Sequence, residues 1–310
     1  MIMPLNTPLV TVAMVTYNSS KYVKTAIESV LNSSYQNFEL IISDDNSSDD
    51  SWNVIQTYTD KRIRAYRNKN NLKEYANRKK CVDLAKGEYL IYIDGDDYIY
   101  PHGLEHFVEG TKLNPDAAMI IARNECDHMI FPVIISPNEA YKYDYLGEGV
   151  TSGGFTSTLF KVNHLKEICF NHGYIAGDTF IKKTLAYLYE TVLIHTGLTW
   201  WRRTPGQASE KLFNSIEGLT QSLRMNKHFL ELNKEILTDD EYLQARINTI
   251  VYPAFRPIIK NLLKLKFNNV IAIIKSSELK FKDMRLLTST PKRTYKLADS
   301  ISPLTTKKHE

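Results

Sequence analysis

Apolar and polar residues change their spacing several times along the first hundred positions. Short uncharged runs rich in β-branched and aromatic residues are typical of buried strands. Between them lie segments in which apolar residues recur every three or four positions, which is typical of amphipathic helices. Four such strand–helix units in succession predict a mainly parallel sheet flanked by helices, with ligands at the carboxyl ends of its strands. The predicted strands are 9–16, 38–43, 63–66 and 88–93, and the helices between them are 21–31, 49–58 and 75–85.

The pattern is different after residue 100. Residues 117–160 predict only short strands and turns, and 181–189 predict a helix. Beyond residue 212 the pattern becomes helical, with one helix over 213–237 and a second from Asp239 to about Tyr252 that Pro253 and Pro257 should end. We therefore predict an α/β domain over 1–212, made of halves 1–100 and 101–212, and a helical extension over 213–310.

Composition and charge narrow the class of protein. The chain has 310 residues, of which 43% are hydrophobic, and its apolar runs are much shorter than the roughly 20 residues that span a bilayer. Its three cysteines are widely spaced and form no CxxC pair, which favours cytosolic thiols and a cytoplasmic location. The charge is uneven: residues 257–310 carry a net +8, whereas residues 1–256 carry −4.

Three acids follow the fourth strand, in the sequence Asp94-Gly95-Asp96-Asp97. Turn chemistry explains an Asp-Gly pair but not two further acids at the same strand end. Carboxylates placed side by side repel one another unless a cation lies among them. A divalent cation bound by carboxylates and substrate phosphates is therefore predicted here.

The absence of glycine from the first 86 residues excludes a glycine-rich phosphate-binding loop in this part of the sequence. The first glycine is Gly87, so the opening units contain neither GxGxxG nor GxxxxGK[ST]. A nucleotide must instead be held by side chains, and the loops 14–18 and 43–48 follow the first two strands. An aspartate there can accept a hydrogen bond from the imide N–H of uracil, and Tyr17 can lie against the base, which favours a uridine nucleotide.

The ordered motifs VAMVTYNSSKYVKTAIESVLNSSYQNFELIISDDNSSDD and NRKKCVDLAKGEYLIYIDGDDYIYP resemble glycosyltransferase family 2. The resemblance implies the GT-A fold, with residues 1–100 as the nucleotide-binding half and 101–212 as the acceptor half of a catalytic domain. It also implies a role for each matching residue: Thr16, Tyr17, Asn18 and Asp45 bind the nucleoside, Arg78 lies near the base and diphosphate, Asp96 contacts ribose, and Asp97 ligates Mg²⁺ or Mn²⁺. Two alternatives remain open: Asp44-Asp45 can cap the following helix, and Arg78 can be a solvated helix residue.

The family also carries a Glu-Asp pair at the start of a helix in the acceptor cleft, where the aspartate deprotonates the attacking hydroxyl. Here Gly177 replaces the glutamate and Asp178 keeps the aspartate position, although Asp178 can also simply cap its helix. Arg202 or Arg203 resembles the cation near the donor diphosphate. Thr204 stands where many relatives have a histidine, and the QxxRW signature of processive synthases is missing, which favours transfer of one sugar at a time.

The basic residues near the carboxyl terminus have two interpretations. The segments 258–265 and 270–274 are apolar and interleaved with Lys260, Lys264, Lys266 and Lys275. Such helices can make a peripheral contact with an anionic membrane through residues 257–310, at the inner face of the cytoplasmic membrane. Alternatively they pack on the catalytic domain and leave the lysines in solvent.

The predicted function is that of a metal-dependent, inverting glycosyltransferase. It uses Mn²⁺ or Mg²⁺ and moves one sugar from a UDP-sugar to a hydroxyl of a glycan or lipid-linked glycan in polysaccharide biosynthesis, without a nucleic-acid partner. A sugar-1-phosphate nucleotidyltransferase and a non-catalytic sugar-nucleotide or carbohydrate-binding module are the alternatives. The sequence identifies neither the sugar nor the acceptor.

Overall fold

The structure, a computed structural model, describes residues 7–124, 130–151, 153–204, 215–280, 283, 286 and 291–295. Its centre is an eight-stranded sheet with the strand order β3-β2-β1-β4-β8-β6-β9-β7. A two-stranded sheet joins β5 and β10. The strands are β1 Val10–Thr16, β2 Phe38–Asp44, β3 Ile63–Arg67, β4 Tyr89–Tyr92, β5 Tyr98–Ile99, β6 Met119–Arg123, β7 Val133–Ile135, β8 Thr158–Lys161, β9 Thr191–His195 and β10 Thr199–Trp200.

The parallel part of the sheet brings the predicted ligand loops together. β1 pairs in parallel with β2 and β4, and β2 pairs in parallel with β3. Val10 lies opposite both Phe38 and Tyr89, so these strands begin level and their carboxyl ends meet at one edge. The predicted mainly parallel sheet is confirmed for the first half. β8 runs antiparallel to β4 and β6, and β7 runs antiparallel to β9.

The sheet separates two layers of the core. Successive strand residues point to opposite faces, so Val12 and Met14 pack in one apolar cluster while Ala13 joins the other. The first cluster contains residues of α1 (Val23–Leu31) and α4 (Gly103–Leu113). The second contains residues of α3, α5, α6 and α7, which are Glu74–Leu84, Pro137–Leu146, Val162–Glu167 and Gly177–Ala186. Both faces are therefore covered by helices, as a buried parallel sheet requires.

Two predictions for the sheet-bearing domain are wrong in detail. Residues 117–160 were predicted as strands and turns, yet they contain helix α5 with a complete capping box between Ser136 and Glu139. The S-x-x-E spacing with Pro137 at the first helical position was the available signal. The second error concerns 49–58, where the observed helix α2 covers only Ser51–Gln56.

The helical extension is present, but its helices differ from the predicted ones. They are α8 Ile216–Leu232, α9 Asp239–Arg246, α10 Tyr252–Leu263 and α11 Phe267–Ser277, with a π-helical turn over Ile247–Val251. Pro253 was predicted to end a helix and instead lies in the first turn of α10, where its missing N–H costs no hydrogen bond. Pro257 lies inside α10 and does not end it.

The extension packs into the same core as the α/β domain. Leu223 and Phe229 of α8 and Ile273 of α11 belong to the cluster that also contains Tyr141 and Leu185. The Tyr141 hydroxyl donates a hydrogen bond to the Leu230 carbonyl at 3.1 Å. The extension therefore packs against the α/β domain through a shared apolar core.

Candidate active site

The acids that follow β4 lie at the meeting edge of the parallel strands. Asp97 is almost fully buried, and its carboxylate accepts hydrogen bonds from Thr156 Oγ1 at 2.7 Å and from the Arg202 backbone N–H at 3.1 Å. Asp96 accepts from Thr204 Oγ1 at 3.2 Å, and its carbonyl accepts from Arg202 Nε at 2.9 Å. The pairing of β5 with β10 places residues 200–204 against the acids, although they are about a hundred positions apart.

The carboxyl group of Asp97 is poorly suited to carry a charge in the absence of a cation. Burial, together with the charges of Asp94 and Asp96, raises its pKa to about 7, while the hydrogen bonds from Thr156 and Arg202 oppose the shift. A bound cation would remove that penalty. The direction of the shift therefore fits a metal ligand better than a structural carboxylate.

The ligands that the chain itself offers a metal are few. Within the described ranges, no group of three or more His, Cys, Asp or Glu side chains could hold a metal ion. Mg²⁺ in particular is commonly bound through one or two carboxylates together with substrate phosphates and waters. The residues present thus fit a cation that is shared with a diphosphate, with Asp97 as the protein ligand.

Arg78 supplies the positive charge beside Asp94. Its guanidinium donates to both carboxylate oxygens of Asp94, at 2.8 and 2.6 Å, and lies over the rings of Tyr92 and Phe155. Arg78 is almost fully buried. The alternative of a solvated helix residue is therefore wrong. Asp94, one of the three clustered acids, is thus neutralised by an arginine of the chain itself and does not need a cation.

Asp45 and Asp44 have separate structural roles at the end of β2. The Asp45 carboxylate accepts from Asn68 Nδ2 at 2.8 Å and from the backbone N–H groups of Leu72 and Lys73 at 2.7 and 3.0 Å. It thereby holds the turn that precedes α3, the helix that carries Arg78. Asp44 instead accepts from the backbone N–H of Ser47 at 3.0 Å. The alternative in which Asp44 or Asp45 caps α2 is wrong, because the N-cap of that helix is Asp50.

The loop after β1 is tied to the loop after β2. The Asn18 N–H donates to Ser47 Oγ at 2.9 Å, and Asn18 Oδ1 accepts from the Ser48 N–H at 2.8 Å. Tyr17 remains about half exposed, at 53%, and is available to a ligand. Thr16 Oγ1 is buried without a hydrogen-bond partner among the described residues. A Cβ on residue 95 would lie 2.5 Å from this oxygen, which is too close for any residue but glycine unless the threonine moves. Glycine at position 95 therefore permits β1 and β4 to approach at the site.

Asp178 lies in the first turn of α7, which begins at Gly177 and not at the predicted residue 181. The N-cap of α7 is Ala176, which makes no side-chain capping bond, and Asp178 Oδ1 accepts from the next N–H, that of Thr179, at 2.7 Å. A carboxylate in the first turn is favoured by the helix dipole. One Asp178 oxygen thus binds a backbone N–H of the helix. The negative charge of the carboxylate also raises the pKa values of Glu74, Tyr75 and Lys182.

A residue larger than glycine at position 177, such as the glutamate that the family resemblance implies, would require its neighbours to move. A Cβ at this position would lie 2.1 Å from the His172 ring and 2.4 Å from the Tyr75 ring. The Gly177 N–H donates to the Tyr75 hydroxyl, which donates in turn to the Ile175 carbonyl, both at 2.6 Å. Tyr75 thus connects α3 to the start of α7 and fixes Asp178 relative to the helix that carries Arg78.

Glu74 is a site residue that the sequence reasoning missed. Its carboxylate lies 3.4 Å from the guanidinium of Arg78. Desolvation raises its pKa, and the charges of Asp94 and Asp178 raise it further, whereas Arg78 lowers it. Glu74 therefore lies within electrostatic range of both the β4 acids and Asp178. The only available signal was its spacing of four residues from Arg78 on the same helix.

Lys182 is a second residue that was missed. It is fully buried, one turn after Asp178 on α7, and its ammonium donates to the Gly153 carbonyl. Burial lowers its pKa to about 8, while the charges of Asp178 and Asp144 oppose the shift. Lys182 thus adds a buried positive charge within electrostatic range of Asp178.

The segment that contains the two tryptophans is exposed rather than buried. Trp200 and Trp201 are 44% and 46% accessible, so neither is packed in the core. The guanidinium of Arg202 lies over the rings of Trp200 and Tyr22, at 4.6 and 4.5 Å, in addition to its contacts with the acids. Arg203 lies over Trp201 at 5.8 Å. Of the two arginines, Arg202 is the one held at the acidic site.

The chain belongs to the family described as Glycosyl transferase family 2, which it matches over residues 11–169. It is 36% identical over 109 residues to an Escherichia coli protein, the UDP-Glc:alpha-D-GlcNAc-diphosphoundecaprenol beta-1,3-glucosyltransferase WfaP, covering 34% of this chain and 43% of that protein. It is 32% identical over 205 residues to the GalNAc(5)-diNAcBac-PP-undecaprenol beta-1,3-glucosyltransferase of Campylobacter jejuni, covering 63% and 65%. The matches thus cover less than two thirds of either relative's length.

Solved structures share the fold over most of the chain. TarS of S. aureus, crystallised with UDP-GlcNAc, superposes with a TM-score of 0.58 at 16% identity, covering 89% of this chain and 91% of that one. The mannosyltransferase PcManGT from Pyrobaculum calidifontis, solved with GDP-Man and Mn²⁺, gives a TM-score of 0.61 at 12% identity, covering 92% and 79%. These likenesses confirm the predicted GT-A fold with its C-terminal helices. No helix in the described part of the chain is long and apolar enough to cross a membrane.

Proposed function

We propose that the protein is a metal-dependent, inverting glycosyltransferase that moves one sugar from a UDP-sugar to a hydroxyl of a lipid-linked glycan during polysaccharide biosynthesis. The observation that carries the proposal is the convergence of Asp97, Asp96 and Arg202 at the carboxyl ends of the parallel strands. Glu74 and Arg78 connect this acidic site electrostatically to Asp178. A place for a diphosphate and a candidate base thereby lie within electrostatic range of the same residue, Glu74.

The donor would be held by side chains on three loops. The diphosphate lies against Asp97 and the guanidinium of Arg202, the ribose against Asp96, and the base against Tyr17 and the loop that Asn18 ties down. Arg78 is committed to Asp94, so its contribution is to fix and neutralise that acid beneath the diphosphate. A divalent cation held by Asp97 would neutralise charge that develops on the leaving diphosphate.

Asp178 would act as the general base. The acceptor oxygen forms a bond to the sugar C1 as the bond from C1 to the diphosphate oxygen breaks, and the acceptor proton passes to Asp178. A single displacement of this kind inverts the anomeric configuration. The ammonium of Lys182, buried one turn further along α7, places a positive charge within electrostatic range of Asp178.

The substrate classes are suggested by the relatives. Both of the named glucosyltransferases carry undecaprenol-linked acceptors in their names, and one of them carries UDP-Glc as donor. A lipid-linked acceptor also suits a location at the inner face of the cytoplasmic membrane. Membership of glycosyl transferase family 2 removes the support for the nucleotidyltransferase alternative, and the presence of Asp178 distinguishes the site from a purely binding module.

A transfer assay tests the proposal. The protein is incubated with Mn²⁺, a GlcNAc-diphosphoundecaprenol acceptor, and UDP-, GDP- or ADP-linked sugars in parallel, and nucleoside diphosphate release and acceptor mass are measured. We expect release of UDP, with a gain of one hexose or hexosamine mass on the acceptor. Release only from GDP- or ADP-sugars would contradict the uridine assignment. Absence of donor turnover and of donor binding across the panel would contradict the proposed activity.

A further inference from the structure

The connection between α10 and α11 exposes a group of large apolar side chains. Leu263 is 81% accessible, Leu265 is 74% and Phe267 is 57%. Ile259 and Leu262 of α10 and Ile271 and Ile274 of α11 extend the group and are each 40% accessible or more. We call these seven residues the apolar corner. A cluster of this kind marks a site of interaction rather than ordinary surface.

Packing within the protein does not account for the apolar corner. α11 already buries a stripe against the core, in which Val270 and Ile273 are almost or fully inaccessible. Phe267, Ile271 and Ile274 form a second stripe on a different face, at helical spacing. A helix that packs on a domain needs one apolar stripe, so the second is left to be covered by another partner.

The backbone at Leu265 supports the same interpretation. This residue has a φ of 55°, in the left-handed region, and follows Lys264, the C-cap of α10. Glycine or asparagine is usual at such a position because other residues pay about 1 kcal/mol or more there. A leucine whose side chain is mostly exposed gains nothing from the protein in return. A leucine at position 265 is explained if a binding partner buries its side chain.

The charge around the apolar corner identifies the partner. Arg256, Lys260, Lys264, Lys266 and Lys275 are all exposed, and the segment 256–277 contains no acid. Among the described residues, none of these five forms an ion pair with an acidic side chain. A second copy of the chain docked symmetrically would bring Lys264 and Lys266 toward their own copies, which is repulsive. An anionic surface with an apolar interior would attract the basic side chains and bury the exposed apolar ones.

We propose that the apolar corner inserts into the headgroup region of an anionic bilayer while the surrounding lysines bind lipid phosphates. The corner is thereby a peripheral docking surface at the tip of the helical extension. It extends the proposed function, in which the acceptor is lipid-linked, by naming the surface that brings the enzyme to the membrane. Both interpretations of the basic segment then hold in part, because the helices pack on the domain and keep a free apolar face.

Vesicle flotation of the full-length protein tests this proposal. We expect binding to phosphatidylcholine vesicles that contain phosphatidylglycerol, weaker binding to phosphatidylcholine alone, and loss of binding as salt screens the lysines. The double variant Leu265→Asn, Phe267→Gln should lower partitioning by about tenfold or more, since two large apolar side chains leave the lipid. Its melting temperature should not fall, because asparagine suits the left-handed position at 265.

Two matched controls separate docking from general surface effects. Ile130→Asn changes a 91% accessible residue outside the apolar corner and should bind like wild type. Lys264→Gln combined with Lys266→Gln should weaken anionic binding by about 30-fold at low salt, because each basic residue at such a surface contributes about 1 kcal/mol. Lys24→Gln, on helix α1 and outside the apolar corner, should leave anionic binding unchanged.

Two outcomes would overturn the proposal. One is that the wild type ignores vesicles at low salt even at high phosphatidylglycerol content. The other is that the protein forms dimers which the double variant dissolves, which would make the apolar corner an interface between two copies. Thermal stabilisation by UDP and Mn²⁺, measured on the same samples, reports separately on the donor site, so failure of docking and failure of the proposed activity are distinguishable.

Discussion

The Asp178→Asn variant is expected to lose turnover by about 10² or more while its affinity for UDP stays near that of wild type. Asparagine keeps the oxygen that accepts from the Thr179 N–H, so the first turn of α7 should be preserved. It cannot accept the proton of the attacking hydroxyl, which is the contribution of a general base. The measurement is steady-state transfer, with UDP affinity determined by calorimetry in Mn²⁺.

A matched variant controls for the loss of one carboxylate in a helical first turn. Asp239→Asn makes the same change at the start of α9 and should leave transfer unchanged. If Asp178→Asn transfers sugar at a near-normal rate, the base lies elsewhere, and Glu74 is the next carboxylate in the cleft. If UDP affinity falls together with turnover, the effect is on the shape of the cleft rather than on the chemistry.

The Asp97→Asn variant is expected to be more stable than wild type without ligand and to lose stabilisation by UDP with Mn²⁺. The pKa of about 7 in the folded protein lies above the ordinary 3.8, so ionisation of Asp97 opposes folding as the pH rises from about 4 to about 7. Asparagine removes that charge and can still pair with Thr156 Oγ1 and the Arg202 N–H. The expected gain is on the order of 1 kcal/mol in the free energy of unfolding at about pH 8, and smaller at about pH 5.

Thermal or denaturant unfolding at both pH values checks the first effect, and the same melts with UDP and Mn²⁺ check the second. An acid that served only the structure would give the opposite result, in which the variant is less stable without ligand and is stabilised by UDP as well as wild type is. A variant that is less stable and also fails to bind would show that asparagine does not fit the pocket. Asp97→Ser would then distinguish loss of charge from loss of shape.

Much of the fold could be predicted from the first hundred residues because their strands are buried on both faces. The strands Val10–Thr16 and Phe38–Asp44 are buried along almost their whole length, and the helix that follows the first of them, α1, has a clear amphipathic period. The later strands have five residues or fewer and pair in both orientations, so their patterns are weak. In the extension, Pro253 predicts the end of one helix but lies in the first turn of the next, because proline is common both after a helix and at its first positions.

The site was predictable where a residue follows a strand and unpredictable where it depends on distant contacts. Asp97 and Asp45 follow β4 and β2, and the parallel register alone brings them to one edge. The ion pair of Arg78 with Asp94 depends on how α3 lies over the sheet, and no local pattern encodes that. The same holds for Tyr75, whose hydroxyl reaches residues about a hundred positions away. Only the packed structure shows these contacts.

Binding of UDP to wild type, measured by calorimetry with Mn²⁺ and again in EDTA, tests the central claim most directly. If the diphosphate is held through a cation at Asp97, affinity should be at least about tenfold higher with the metal, and the Asp97→Asn variant should lose that difference. Equal affinity for UDP with and without the metal, in wild type and variant alike, would contradict the account.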